Sequence, residues 1–215
     1  MKPHLVAAAL AVPLALAAAP LPAPLTGQAS AGGCPDAEVV FARGTGEPPG
    51  VGRVGDAFVN SLRSKLPGKT VTAYGVDYPA NYNFLQATYG AGDVSNRLSY
   101  MASACPDTRL VLGGYSQGAA VIDIVTATPV AGFSVGQPLA PGAVDQVAAI
   151  ALFGNPSKRL GNIVTIASPH YAGKTIDLCS GNDPVCSDGR SWSAHTQYVQ
   201  TGMTGQAASF VAQRL

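Results

Sequence analysis

The sequence predicts a three-layer α/β/α domain with a mainly parallel central sheet. Three observations carry that expectation. Short apolar runs alternate with stretches of helical period, and the first strand–helix–strand order proceeds without a hairpin turn. The run Arg109-Leu110-Val111-Leu112 leads into the glycine-framed Gly114-Tyr115-Ser116-Gln117-Gly118, and a small-residue helical pattern leads out of it. No internal repeat or long linker divides the chain, so one domain is expected.

Taken in order, the first residues read as an address rather than as fold. Lys2 gives a positive start, Leu5 to Ala19 is an Ala/Leu-rich run interrupted by Pro13, and Ala29-Ser30-Ala31 offers a small-residue cleavage site. A membrane span wants about 20 apolar residues. Pro20, Pro22 and Pro24 end this run early. Cys34 follows Ala31-Gly32-Gly33 without the leucine of a lipid-anchoring signal. Residues 1–31 are therefore expected to be a signal peptide and residues 32–215 the single folded domain. The expected location is outside the cell, free or associated with the wall.

Val39-Val40-Phe41 within Asp36 to Ala42 marks a buried strand, and Arg43-Gly44-Thr45-Gly46-Glu47-Pro48-Pro49-Gly50 makes a glycine-rich loop at its carboxyl end. Val54, Ala57, Phe58 and Leu62 recur at helical spacing until Pro67-Gly68 stops them. Thr70 to Val76 reads as a second strand, and residues 77–91, rich in Tyr, Asn and Pro, as a loop over a sheet edge. Val94, Leu98 and Met101 share one face of a helix expected over Val94 to Met101. The helix after Ser116 must end by Thr128, because Pro129 follows. Val147 to Phe153 and Ile163 to Ala167 are further strand candidates, with Lys174 to Leu178 weaker. Met203, Ala207, Phe210 and Val211 share one face of a C-terminal helix.

Charge excludes some classes of partner. The 13 Lys and Arg, one of them Lys2, balance 12 Asp and Glu, which argues against nucleic acid and acidic membrane surfaces. No apolar run after the leader is long enough to span a membrane. The four cysteines, Cys34, Cys105, Cys179 and Cys186, suit two disulfides in an exported chain. Three connectivities are open; the close Cys179/Cys186 pair suggests a local loop, leaving Cys34 and Cys105 to close a long one. A zinc site would need closer spacing and histidine help, so no metal and no cofactor are expected.

Ser116 has the setting of a nucleophile elbow, in which a strand turns sharply into a helix and presents a serine. The spelling alone is weak, since Gly132-Phe133-Ser134-Val135-Gly136 matches it too. That second match follows Pro129, and Pro138 and Pro141 bar a regular helix behind it. A serine nucleophile needs a base, normally a histidine oriented by a carboxylate. Of the three histidines, His4 leaves with the leader, so the choice is His170 or His195. His195 leaves room for an acid between nucleophile and base, the order expected on this kind of turn. Asp177, Asp183 and Asp188 lie in that interval, and Asp183 is favoured because a Cys179–Cys186 loop would fix its backbone. Oxyanion donors are expected at the Gln117 amide and at Thr45 in the first loop. A phosphate-binding reading of that loop fails, since no Gly-Lys-Ser/Thr follows it.

Gly113-Gly114-Tyr115-Ser116-Gln117-Gly118-Ala119-Ala120, Ala42-Arg43-Gly44-Thr45 and Cys179 through Asp183-Pro184-Val185-Cys186 together resemble the cutinase family, especially its secreted actinobacterial members, over essentially all of residues 34–215. The resemblance implies a lidless α/β-hydrolase and disulfides Cys34–Cys105 and Cys179–Cys186. It also implies a Ser116–Asp183–His195 triad with oxyanion donors Thr45 and Gln117. Fungal members carry serine where this chain has Thr45. The expected activity is hydrolysis of carboxylic esters of short to medium acyl chains through an acyl-enzyme, on a cutin-like polyester or a lipid. Pro184 and Val185 are expected to border the substrate, and the protein to act as a monomer. The alternatives are a lipase, phospholipase or thioesterase, and a secreted antigen or binding protein whose triad is silent.

Overall fold

Six consecutive residues, Ala37–Ala42, are buried and form the interior strand β1. Val39 and Phe41 enter one apolar layer while Val40 and Ala42 enter the other, so both faces of the strand are covered. Glu38 interrupts this apolar run and is nevertheless buried. Arg97 meets its carboxylate with two nitrogens, at 2.7 and 2.6 Å, supplying the partner that a buried charge requires.

A computed structural model of the chain describes Met1 and residues 33–126, 141–161, 168 and 170–215. The expected leader, the Ser134 motif and the strand candidate at 163–167 lie outside these residues. Gly33–Leu215 forms one compact unit. Its further strands are β2 (Val71–Gly75), β3 (Arg109–Tyr115), β4 (Val147–Phe153) and β5 (Thr175–Leu178). They pair in the order β2-β1-β3-β4-β5, every neighbour parallel.

The described α-helices are α1 (Gly52–Lys65), α2 (Ala87–Ala104), α3 (Gln117–Thr126), α4 (Pro141–Gln146), α5 (Trp192–Thr196) and α6 (Met203–Ala212), with short 3-10 turns at Phe84–Gln86, Pro156–Leu160 and Ala172–Lys174. Residues of α1 and α6 pack with Phe41, Val111 and Phe153 on one face; residues of α2, α3 and α4 pack with Val40, Leu112 and Leu152 on the other. The three-layer α/β/α expectation therefore holds.

Three elements depart from the sequence reading. Pro141, expected to bar a helix, instead opens the short α4, where a proline's missing N–H costs nothing, and α5 forms where no helix was expected. Residues 87–91, expected as loop, are the start of α2, which begins seven residues before Val94. Apart from Tyr89, the Tyr, Asn and Pro that gave residues 77–91 their loop-like composition cluster at 78–83, ahead of the helix. Gly90 serves packing: a Cβ there would lie 3.1 Å from both Tyr78 and Val121, so the glycine lets α2 approach its neighbours closely.

Both sulfur bridges are present. Cys34–Cys105 ties the segment before β1 to the end of α2, with Cα atoms 5.5 Å apart, and Cys179–Cys186 closes a loop after β5 with Cα atoms 5.8 Å apart. The strand order changes direction between β1 and β3. In open parallel sheets a crevice forms at such a point beyond the carboxyl ends of the strands. The loop after β1 and the turn after β3 meet there.

Candidate active site

β3 ends at Tyr115 and α3 begins at Gln117, leaving Ser116 alone in the turn. Its φ is +56°, a left-handed conformation that a non-glycine residue rarely adopts. The glycines around it make the turn possible. A Cβ on Gly114 would stand 2.3 Å from the Gly118 carbonyl oxygen, and one on Gly118 would stand 1.9 Å from that of Ala42. Strand, helix and the end of β1 thus touch backbone to backbone. The Ser116 amide donates to the Phe153 carbonyl at 2.9 Å, which ties the turn to β4.

His195 lies in α5 and is buried. Its Nε2 is 2.9 Å from Ser116 Oγ and its Nδ1 is 2.7 Å from Asp183 Oδ2. Asp183 is wholly buried, and its Oδ1 accepts from the Val185 amide at 2.8 Å. The other candidates stand elsewhere. His170 is exposed beside Tyr171. Asp177 sits in β5 and accepts from Asn155 Nδ2 at 3.1 Å, while Asp188 is exposed, 3.8 Å from Arg159.

The loop after β1 is held on both sides of Thr45. The Gly44 amide donates to Glu47 Oε2 and the Gly46 amide to the Ala80 carbonyl, each at 2.7 Å. Thr45 Oγ1 donates to Gln117 Oε1 at 3.0 Å, joining the two expected oxyanion donors through their side chains. As the first residue of α3, Gln117 has an amide without an intrahelical acceptor, at the positive end of the helix dipole. Pro184 and Val185 are half-buried within the small disulfide loop.

Several supporting residues escaped the sequence reading. The Tyr115 hydroxyl donates to the His195 carbonyl at 2.6 Å, and its ring stacks on the imidazole with centroids 5.0 Å apart. Burial pushes that phenol up to about 12, so it stays protonated. The Tyr198 hydroxyl donates to Asp183 Oδ2 at 2.5 Å. Burial first, then the Asp183 bond, pushes the Tyr198 phenol well above its ordinary range. Gly154, with φ +59°, packs tightly against the pair: a Cβ there would be strained and would lie 3.0 Å from His195 Cε1 and 3.1 Å from Asp183 Oδ2, pushing both. Tyr198 is three residues beyond the histidine and Gly154 directly follows a strand, but neither position announces a role without the contacts.

Comparison with known proteins places the chain among ester hydrolases of one family by sequence and fold. The Cutinase family model matches residues 33–215. The chain is 59% identical over 211 residues to the phospholipase Culp4 of Mycobacterium tuberculosis, covering 98% of this chain and 90% of that protein. It is 43% identical over 224 residues to the carboxylesterase Culp1 of Mycobacterium bovis, covering 100% and 98%. Among solved structures, Trichoderma reesei cutinase in complex with a phosphonate inhibitor superposes with a TM-score of 0.67. That match is 32% identical and covers 84% of this chain and 76% of the other.

Proposed function

Because the chain belongs to the cutinase family and is a carboxylic ester hydrolase, we propose that Ser116, His195 and Asp183 are its catalytic triad. The observation that carries the proposal is the unbroken line of hydrogen-bond distances from Ser116 Oγ through the imidazole to Asp183, 2.9 and 2.7 Å. His195 takes the Ser116 proton as Oγ attacks the ester carbonyl, and Asp183 holds the ring and balances the imidazolium. The oxyanion forms against the Gln117 amide and Thr45, helped by the positive end of α3. His195 then passes its proton to the departing alcohol. Water, activated by the same imidazole, releases the acid from the acyl-enzyme. Ser116→Ala is expected to abolish p-nitrophenyl ester turnover and labelling by a fluorophosphonate; full activity in that variant would end the proposal.

For the substrate we propose esters of short to medium acyl chains, bordered by Pro184 and Val185 and presented at a lipid or polyester surface. A phospholipid ester is the second reading, favoured by the 59% identity to a protein named as a phospholipase. Rates on p-nitrophenyl esters from acetate to palmitate, beside release of fatty acid from phospholipid vesicles, separate the two. Export after removal of residues 1–31 and action as a monomer complete the proposal. The disulfides suit an oxidising compartment, and no helix among the described residues is long and apolar enough to cross a membrane.

A further inference from the structure

Asp183 Oδ2 serves two donors at once. His195 Nδ1 lies 2.7 Å from it, and the Tyr198 hydroxyl donates to the same oxygen at 2.5 Å. The phenol has little freedom to do otherwise. Tyr198 is fully buried, and its ring stands edge-on to Tyr115 and Phe153 with centroids 5.8 and 6.1 Å away. The phenolic oxygen also accepts from the Ser180 amide at 3.2 Å and lies 3.4 Å from Cys186 Sγ. With the amide occupying a lone pair, the hydroxyl proton is directed at the carboxylate. The phenol stays protonated because burial, and next the Asp183 contact, raise its pKa.

We propose that Tyr198 is a positioning residue that tempers the basicity of His195 by taking part of the charge on Asp183 Oδ2. The inference rests on the triad proposed above. A carboxylate stabilises an imidazolium in proportion to the charge it presents to Nδ1–H, and a second donor on the same oxygen draws some of that charge away. A tyrosine that merely satisfies a buried oxygen would instead act through stability and ring placement alone. Three other titratable or charged groups surround the pair, and all are kept in every variant compared. Tyr115 of β3 bonds the His195 carbonyl, Arg53 of α1 donates to the Thr196 carbonyl at 2.8 Å, and Glu47 accepts from the Arg53 amide at 2.9 Å.

The test is the pH profile of kcat/KM on a p-nitrophenyl ester for the full chain, for Tyr198→Phe, and for the chain with 3-fluorotyrosine at position 198. Removing the donor is expected to move the acidic limb up by about half a pH unit to one pH unit, with the alkaline plateau changed less than about threefold. Fluorination makes the phenol a stronger donor and is expected to move the limb the other way. A uniform loss of rate with the limb unmoved, or shifts of the same sign in both variants, would overturn the proposal. Should Tyr198→Phe fail to fold, the fluorinated chain decides alone, because it keeps ring and donor. NMR titration of the His195 ring in Ser116→Ala, with and without Tyr198→Phe, reads the same coupling without turnover. If Ser116→Ala retains esterase activity, the triad and the Tyr198 proposal fall together. If it is inactive and the limb does not move, only the Tyr198 proposal falls.

Discussion

Ser116 and its partners are held in place by different means. The serine turn lies between the central strand β3 and α3, wedged by Gly114 and Gly118 against the end of β1, with backbone meeting backbone. Asp183 and His195 come after β5, the edge strand, on segments with little sheet to lean on. There the positioning comes from a covalent bridge, Cys179–Cys186, and from hydrogen bonds of Val185 and Tyr198 to the carboxylate. Steric exclusion gives the turn a single available shape and demands glycine. Tethering gives the acid loop its shape through bonds that solvent conditions can break. The two regions should therefore fail in different ways.

The largest effect is expected on the steric side. Gly118→Ala puts a methyl group 1.9 Å from the Ala42 carbonyl oxygen, and no flexible side chain is available to yield. A loss of at least about 3 kcal/mol is expected, read by denaturant unfolding, with activity and fold lost together. A stable, active Gly118→Ala protein would break the comparison.

On the tethered side, activity should be lost before the fold is. Closing the short loop is worth at most about 2.5 kcal/mol by chain entropy, against roughly 4.4 for the Cys34–Cys105 loop. The double variant Cys179→Ser/Cys186→Ser is expected to keep its circular dichroism while kcat falls. Unchanged kcat would mean that the hydrogen bonds alone hold Asp183.

The smallest effect sharpens the contrast between two aspartates of the same stretch. Burial pushes Asp177 up to about 6 from 3.8, with Lys158 and Asn155 only partly opposing it. Between those values the folded chain binds more protons at this site than the unfolded one, so stability falls as pH rises from about 4 to 6. About 2 kcal/mol is expected for this partly exposed group, and Asp177→Asn should flatten the dependence over that window. Since Asp177 stands outside the triad, ester turnover in the variant is expected to match the parent; a large loss would reopen the choice of acid.

Legibility in the sequence followed the same division. The serine turn was readable because its determinants are contiguous: an apolar run, glycines two residues either side, small residues behind. The alternation of strand and helix was readable for a similar reason, except at the start of α2, where the Tyr, Asn and Pro of residues 78–83 lent their loop character to the five helical residues that follow in the same stretch. His195 and Asp183 were reached through the scarcity of histidines and the spacing of cysteines, which point to candidates without giving their contacts. Tyr198, Tyr115 and Gly154 stayed hidden because each matters only through what the fold brings beside it.

The single tryptophan of the chain has a consequence for observing the enzyme at work. Trp192 is 68% exposed, and its ring stands edge-on to His195 with centroids 6.0 Å apart. Under excitation selective for indole, all emission from this molecule originates beside the imidazole proposed as the catalytic base. Changes in the charge on that ring, or an acyl group arriving next to it, will be written into the intensity and colour of the protein's own light, so single turnovers can be followed in stopped flow without a chromogenic ester or an attached dye.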